Sequence, residues 1–492
     1  MKSTRYPTPH LAVLILVAIA ARVYAQTVLV QPYIQPGDVP NSMTVIWLTD
    51  QTPGDFTVEY GPKNFPVRGS KPERVALDFG IAKGKDAAPA NDEPKEQDVA
   101  VPEREQHYFR YSATLPGLPA DNVVDYSVKL AGEVVRHASF ETRASATKPI
   151  RFVMVGDLAN GKEQQNAVAF EISRVQPQFL VMLGDIVYPT GRVSQYMHHF
   201  WRTYNQPQTA STATGAPLMA SVPFYAALGN HDVDLHKLAD FPDALGAYYF
   251  FRAMINGPGE GPWNTPIGKG PEATAFRAAV GASFPALGAY SFDNGPGHFV
   301  VLDNSGYANL ESPAVREWIE RDLRGSKARW KFVCYHAPMF HSAREHYSEQ
   351  KMRLLAPLLE SCGVDIAFAG HVHNYQRSVP MRFTPNPPKR LPNGLVNGEF
   401  KLDTKFDGVT HTQPDGVIHI VSGGGGGTLY KGDLNKNSEY FKAQPPGNWA
   451  PYTAKFVADR HSFTVIDLTT DRLALRALDA SGNEIDRIEI TK

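Results

Sequence analysis

The chain has 492 residues, 42% hydrophobic and 20% charged, with a formal net charge of −1 at pH 7. That size and balance describe a globular protein of two or three domains and exclude a disordered or low-complexity chain. The near-zero charge provides no global basic field, so nucleic acid is not expected as a partner.

The N-terminus carries Lys2 and Arg5, then an apolar run from Leu11 to Ala21, then Val23-Tyr24-Ala25, whose small Ala25 precedes a plausible cut. This is the layout of a secretory signal peptide over 1–25, which implies a secreted or periplasmic protein. The run is short for a membrane span, and no later stretch is long and apolar enough for one. An uncleaved anchor is the other reading. Oligomeric state is not legible.

From 26 to 145, short stretches alternate apolar and polar residues, as in Ser42–Thr49 around Trp47, with Gly, Pro and Asp-Asn turns between them. The pattern predicts an all-β sandwich. A charged, Ala/Pro-rich segment at 80–106 interrupts it and reads as an exposed loop. At Ile150 the style changes. Solid apolar runs alternate with helical stretches, predicting an α/β domain over 148–492 with strands covered on both faces. Antiparallel strands close the chain. Segments 240–294 and 381–414, rich in Gly, Pro and aromatics or in Pro and Asn, read as long loops. Cys334 and Cys362 sit in or beside apolar runs and are expected to be buried thiols.

The chemistry lies where the apolar runs end. They stop at Asp157, Asp185, Asn230-His231-Asp232, His336 and His371-Val372-His373. In an open α/β sheet the C-terminal strand edge is where sites form. One such residue alone is an ordinary turn former; five runs ending this way predict a shared metal site. The donors are carboxylate, imidazole, amide oxygen and phenol, all hard or borderline and none a thiolate. They are too many for one tetrahedral zinc and suit two ions bridged by a carboxylate.

The motifs Gly156-Asp157-Leu158-Ala159-Asn160, Gly184-Asp185-Ile186-Val187-Tyr188, Gly229-Asn230-His231-Asp232, Val333-Cys334-Tyr335-His336 and Gly370-His371-Val372-His373 follow the order of the five metal motifs of calcineurin-like metallophosphoesterases. The chain resembles the purple acid phosphatase branch in particular, from about residue 27 onward. The resemblance implies a fibronectin-III-like β domain followed by a layered α-β-β-α metallophosphoesterase domain. It also implies one metal held by Asp157, Asp185, Tyr188 and His373, and another by Asp185, Asn230, His336 and His371. Ordinary members of the superfamily carry His where this chain has Ala159, and Tyr188 would supply the missing ligand. The purple phosphatases usually have Gly at that position. A phenol has a free pKa near 10, so its ionisation at acidic pH calls for Fe(III); the partner ion would be Fe(II), Zn(II) or Mn(II).

The expected activity is hydrolysis of phosphate monoesters by metal-activated hydroxide. His231 is the candidate proton donor to the leaving alkoxide, with Asp232 orienting it, and His346, ten residues past His336, is the candidate substrate contact. His341 is nearer in sequence and matches less well. Tyr375 and Arg377 read as structural, and Gly423–Gly427 as a strand-to-loop exit rather than an anion nest. Competing readings are a phosphodiesterase or nucleotidase of the same superfamily, a non-catalytic binding protein on the fold, and a β domain acting as an adhesion or carbohydrate module.

Overall fold

A computed structural model of the chain describes residues 28–62, 66–84, 99–264, 267–431 and 450–492. The expected signal peptide at 1–25 and the middle of the 80–106 segment lie outside the described residues.

The alternating N-terminal stretches form two four-stranded antiparallel sheets. One orders Val28–Pro36, Met43–Thr49, Gln106–Leu115 and Glu73–Phe79; the other orders Arg68–Ser70, Phe56–Pro62, Val123–Leu130 and Glu133–Glu141. Alternation points every second side chain inward. Trp47 and Tyr111 stack 5.3 Å apart in the core, and Phe56 meets the Trp47 ring edge-on at 5.2 Å. This is the fibronectin-like β-rich region.

The second region holds two larger sheets packed face to face. The six-stranded sheet orders Phe224–Ala227, Phe179–Leu183, Ile150–Val155, Ser462–Leu468, Arg472–Asp479 and Glu484–Thr491. Its first three strands are parallel, and the C-terminal strands add antiparallel. The seven-stranded sheet is built around Gly297–Leu302, Trp330–Cys334, Ile366–Ala369 and Ile418–Ser422, which run parallel. Phe152 and Phe179 from one sheet meet Phe299 from the other at ring distances of 5.1 and 5.3 Å. These runs are apolar throughout because both faces of each sheet are covered. Helix Glu163–Arg174 lies over the six-stranded sheet and buries Val168, Ala169 and Ile172. Helix Pro313–Gly325 lies over the seven-stranded sheet and buries Val315, Trp318, Ile319 and Leu323. The layers therefore read α-β-β-α.

Two expectations need correction. Segment 240–294 contains helices Gly246–Phe250, Pro271–Val280 and Ser283–Ala286 and the edge strand Ala289–Asn294. Its aromatic-rich stretches masked the helical period, although Pro271 at the first helical position is a start signal. Segment 381–414 contains the hairpin Met381–Pro385 with Gly398–Leu402.

The β sandwich is tied to the second region by buried hydrogen bonds. Tyr33 Oη donates to the Phe250 carbonyl and Tyr126 Oη to that of Ala220, both at 2.9 Å. Arg110 donates to the carbonyls of Tyr249 at 3.0 Å and Ala279 at 2.7 Å. The described ends of the 80–106 segment also dock: Lys83 N donates to Asp240 at 2.8 Å, and Glu103 pairs with Arg192.

Candidate metal centre

Parallel strands end at a common edge. Asp157, Asp185 and Asn230 leave the first sheet there; His336, His371 and His373 leave the second. The two edges are stitched together: Gly156 N donates to the Ser422 carbonyl at 2.8 Å, and His371 N donates to the Asp157 carboxylate at 2.9 Å.

The side chains converge. Tyr188 Oη lies 3.1 Å from Asp157 Oδ1, 3.3 Å from Asp185 Oδ2 and 2.8 Å from His373 Nε2. On the other side, His336 Nε2 lies 3.1 Å from Asn230 Oδ1, 3.1 Å from Asp185 Oδ2 and 3.1 Å from His371 Nδ1. Asp185 belongs to both groups. Donor atoms of Asp185, His336 and His371 lie within 4.8 Å of one another, as do those of Asp157, Asp185 and His373. Hard oxygen and imidazole donors this close, in two groups sharing one carboxylate, fit a pair of metal ions.

The outer nitrogens fix which ring atoms face inward. His336 Nδ1 donates to the Leu183 carbonyl at 2.8 Å and His373 Nδ1 to that of Thr428 at 2.7 Å. A carbonyl only accepts, so Nδ1 carries the hydrogen and Nε2 keeps its lone pair toward the cluster. His371 is reversed: its Nε2 meets Glu349 at 3.1 Å and its Nδ1 faces in. Burial, then the neighbouring His346, push His371 down to about 4, which keeps it neutral and able to ligate. Burial works to raise Asp185, but His336 and His231 outweigh it and hold its carboxyl well below the usual range.

The backbone is strained at this edge. Asp157, Asp185, His346 and His371 have φ of 61°, 49°, 60° and 67°, in the left-handed region that non-glycine residues avoid. The surrounding bonds hold them: Asp157 N donates to Gly184 at 3.0 Å, and Asp185 Oδ1 accepts from His231 N at 2.9 Å. Gly184 has φ of 85°, and a Cβ there would stand 2.4 Å from His336 Nδ1. The glycine run at 423–427 packs against the first motif. Gly425 N donates to Gly156 and Gly427 N to Asp157, so these amides are spent on backbone carbonyls, which argues against an anion nest.

His231 reaches the cluster edge, with Nε2 3.9 Å from Asp185 Oδ2. Its Nδ1 is paired with the Pro189 carbonyl, and that contact orients the ring. Asp232 is a correction. Its carboxylate accepts from Gly229 N at 2.9 Å and Ile186 N at 3.0 Å, pinning two motif loops together. Burial, then Asp185, push it up to about 7. The His346 ring lies 3.9 Å from that of His371, and its Nδ1 is 2.7 Å from Glu349. His341 is buried, its ring 5.6 Å from Tyr347. Tyr375 and Arg377 both bond Asp486, at 2.8 and 2.6 Å, as structural groups. Glu349, which bonds both His346 and His371, was not singled out from sequence; an acid three residues past a candidate histidine was the available signal. His346, Glu349 and His371 form a third group with donors within 4.8 Å of one another. Both cysteines are buried and unpaired with each other.

Comparison with known proteins agrees with this geometry. The calcineurin-like phosphoesterase family matches residues 150–375. The chain is 25% identical over 351 residues to an uncharacterized Mycobacterium tuberculosis protein, covering 64% of this chain and 57% of that one. It is 26% identical over 279 residues to purple acid phosphatase 1 of Ipomoea batatas, covering 55% of this chain and 52% of that one. It therefore spans a little over half the length of these curated relatives. A purple acid phosphatase structure from yellow lupin aligns with a TM-score of 0.62 at 17% identity, covering 94% of this chain and 74% of that one, and shows the shared fold. Residues 150–375 thus match the calcineurin-like phosphoesterase family, and purple acid phosphatases are among the proteins the chain is similar to in sequence and fold.

Proposed function

We propose that this metallophosphoesterase is an acid phosphatase that hydrolyses phosphate monoesters at a dinuclear Fe(III)–M(II) centre, M being Fe, Zn or Mn. The observation that carries the reading is Tyr188. Its phenol oxygen lies within 3.3 Å of Asp157, Asp185 and His373 donors, while Ala159 occupies the position where most of the superfamily has histidine. A phenol among these donors suits a trivalent ion. Asp157, Asp185, Tyr188 and His373 would hold it; Asp185, Asn230, His336 and His371 would hold the divalent partner. Bound there, the pair supplies Lewis acidity that neutralises phosphate charge and lowers the pKa of water.

The chain's own groups supply the rest. The Pro189 carbonyl keeps a hydrogen on His231 Nδ1, so Nε2 is the atom that gains or loses a proton. It stands at the cluster edge, where a leaving alkoxide needs one. Glu349 accepts from His346 Nδ1, leaving Nε2 of that ring as the atom to meet the ester. The proposed division runs from a β domain at 26–145 to the catalytic domain at 148–492, behind a signal peptide at 1–25 that would export the protein. Among the described residues, no helix is long and apolar enough to cross a membrane.

The test is the ratio of kcat/KM for p-nitrophenyl phosphate over bis(p-nitrophenyl) phosphate between pH 4 and pH 8. A ratio well above one, with its maximum below pH 7, is expected. A preference for the diester at neutral pH would replace this reading with a phosphodiesterase.

A further inference from the structure

Beside the cluster lies a cavity of about 340 Å³, in the size range of small-ligand sites. Asn230, His336 and His371 line it, and so do Lys351 and Arg390. The two cations come from separate places. Lys351 opens the turn Lys351–Leu355 after the His346 loop, and Arg390 lies between the hairpin strands Met381–Pro385 and Gly398–Leu402. Each is anchored to neutral backbone. Lys351 Nζ donates to the Ser305 carbonyl, and Arg390 Nε to that of Gly394 at 3.3 Å.

Two acids are nearby: Glu349 lines the same cavity, and both it and Asp303 attract Lys351 electrostatically. Glu349 Oε1 and Oε2 face His346 and His371 at 2.7 and 3.1 Å. Asp303 is fully buried and accepts from Ser305 N at 2.8 Å. Among the described residues, neither acid is ion-paired to Lys351. Two like charges brought from distant segments to one cavity wall repel each other, and an anion between them relieves that repulsion. Scissile phosphate held at the Asn230–His336–His371 end would leave the rest of its molecule facing these cations.

We propose that Lys351 and Arg390 form a second anion subsite, which selects esters whose leaving-group portion carries a further phosphate or carboxylate. The inference rests on the phosphomonoesterase reading above. It is tested by isothermal titration calorimetry on the metal-loaded full chain with propylphosphonate, propane-1,3-bisphosphonate and 4-phosphonobutyrate. A charge-assisted hydrogen bond corresponds to about tenfold or more in affinity. At least one doubly anionic probe should therefore bind about tenfold more tightly than propylphosphonate. Gain with both probes indicates a site for either anion, and gain with the bisphosphonate alone indicates phosphate. Lys351→Gln and Arg390→Gln should each bring the ratio toward one, while Lys351→Arg should keep most of it. Arg390 is exposed, so its variant keeps the test decisive if loss of the Lys351 contact impairs folding. A wild-type ratio near one, or a ratio unchanged in both neutral variants, overturns the inference alone. Propylphosphonate failing to bind at all overturns the phosphomonoesterase reading and this inference with it.

Discussion

His231 has one ring nitrogen committed to the Pro189 carbonyl and the other at the edge of the cluster. A group so placed matters most when the leaving group is a poor one. His231→Asn should lower kcat on glycerol 2-phosphate by about 100-fold and cost less on p-nitrophenyl phosphate, whose phenolate leaves without help. Equal losses on both esters would mean the ring acts in binding rather than as a proton donor. At this scale the sequence carried the residues that end strands, because a Gly-Asp or Gly-His step after an apolar run is a local signal. It did not carry their partners. Asp232 follows His231 directly, yet its carboxylate turns back to the Gly229 and Ile186 amides. Glu349, Lys351 and Arg390 reach the site from loops whose approach depends on tertiary packing.

The parallel strands set a functional edge and leave the other edge to stability. His298 is the second residue of strand Gly297–Leu302, at the end remote from the candidate metal ligands, and bridges Asp293 at 2.7 Å and Asp322 at 2.8 Å. Burial opposes its protonation, but the two carboxylates outweigh burial and lift its pKa to about 9. A raised folded-state pKa means this stabilisation is fully present below the unfolded value of about 6.5 and is lost as pH rises through about 9. Because Asp293 is largely exposed, about 1–2 kcal/mol is the expected contribution. His298→Gln should therefore lower Tm at pH 6, with the difference from wild type shrinking toward zero by pH 10. A difference independent of pH would assign the residue a packing role alone. The apolar runs of the two large sheets were legible because both faces are covered. The insertion of Ser462–Leu468 beside Ile150–Val155 was not, since no local pattern selects a strand partner some 300 residues away.

The seam between the β sandwich and the α-β-β-α layers depends on a few buried donors. Among the described residues, Arg110 alone donates to the carbonyls of Tyr249 and Ala279, and it is nearly fully buried. Arg110→Met would leave both oxygens unpaired, at about 1–3 kcal/mol each. Its Tm should fall by several degrees, and tryptophan fluorescence and circular dichroism should report whether the two regions still unfold together. An unchanged Tm would mean water replaces the guanidinium there. The proposed metal centre would tie the two large sheets to each other, because Asp185 and the histidines of the opposite sheet would share it. Metal binding to the folded chain alone raises stability by mass action. Chelation should then lower Tm reversibly, with recovery on readdition of iron and zinc; an unaffected Tm would mean the sheets are held without it.

The central claim is a trivalent iron held through the Tyr188 phenolate. The most direct measurement is the visible absorption spectrum of the purified protein, with metal analysis of the same sample and of Tyr188→Phe. A broad purple to pink band with about one Fe(III) per chain, absent from Tyr188→Phe, is the predicted result. A colourless wild-type protein holding two divalent ions would contradict the claim.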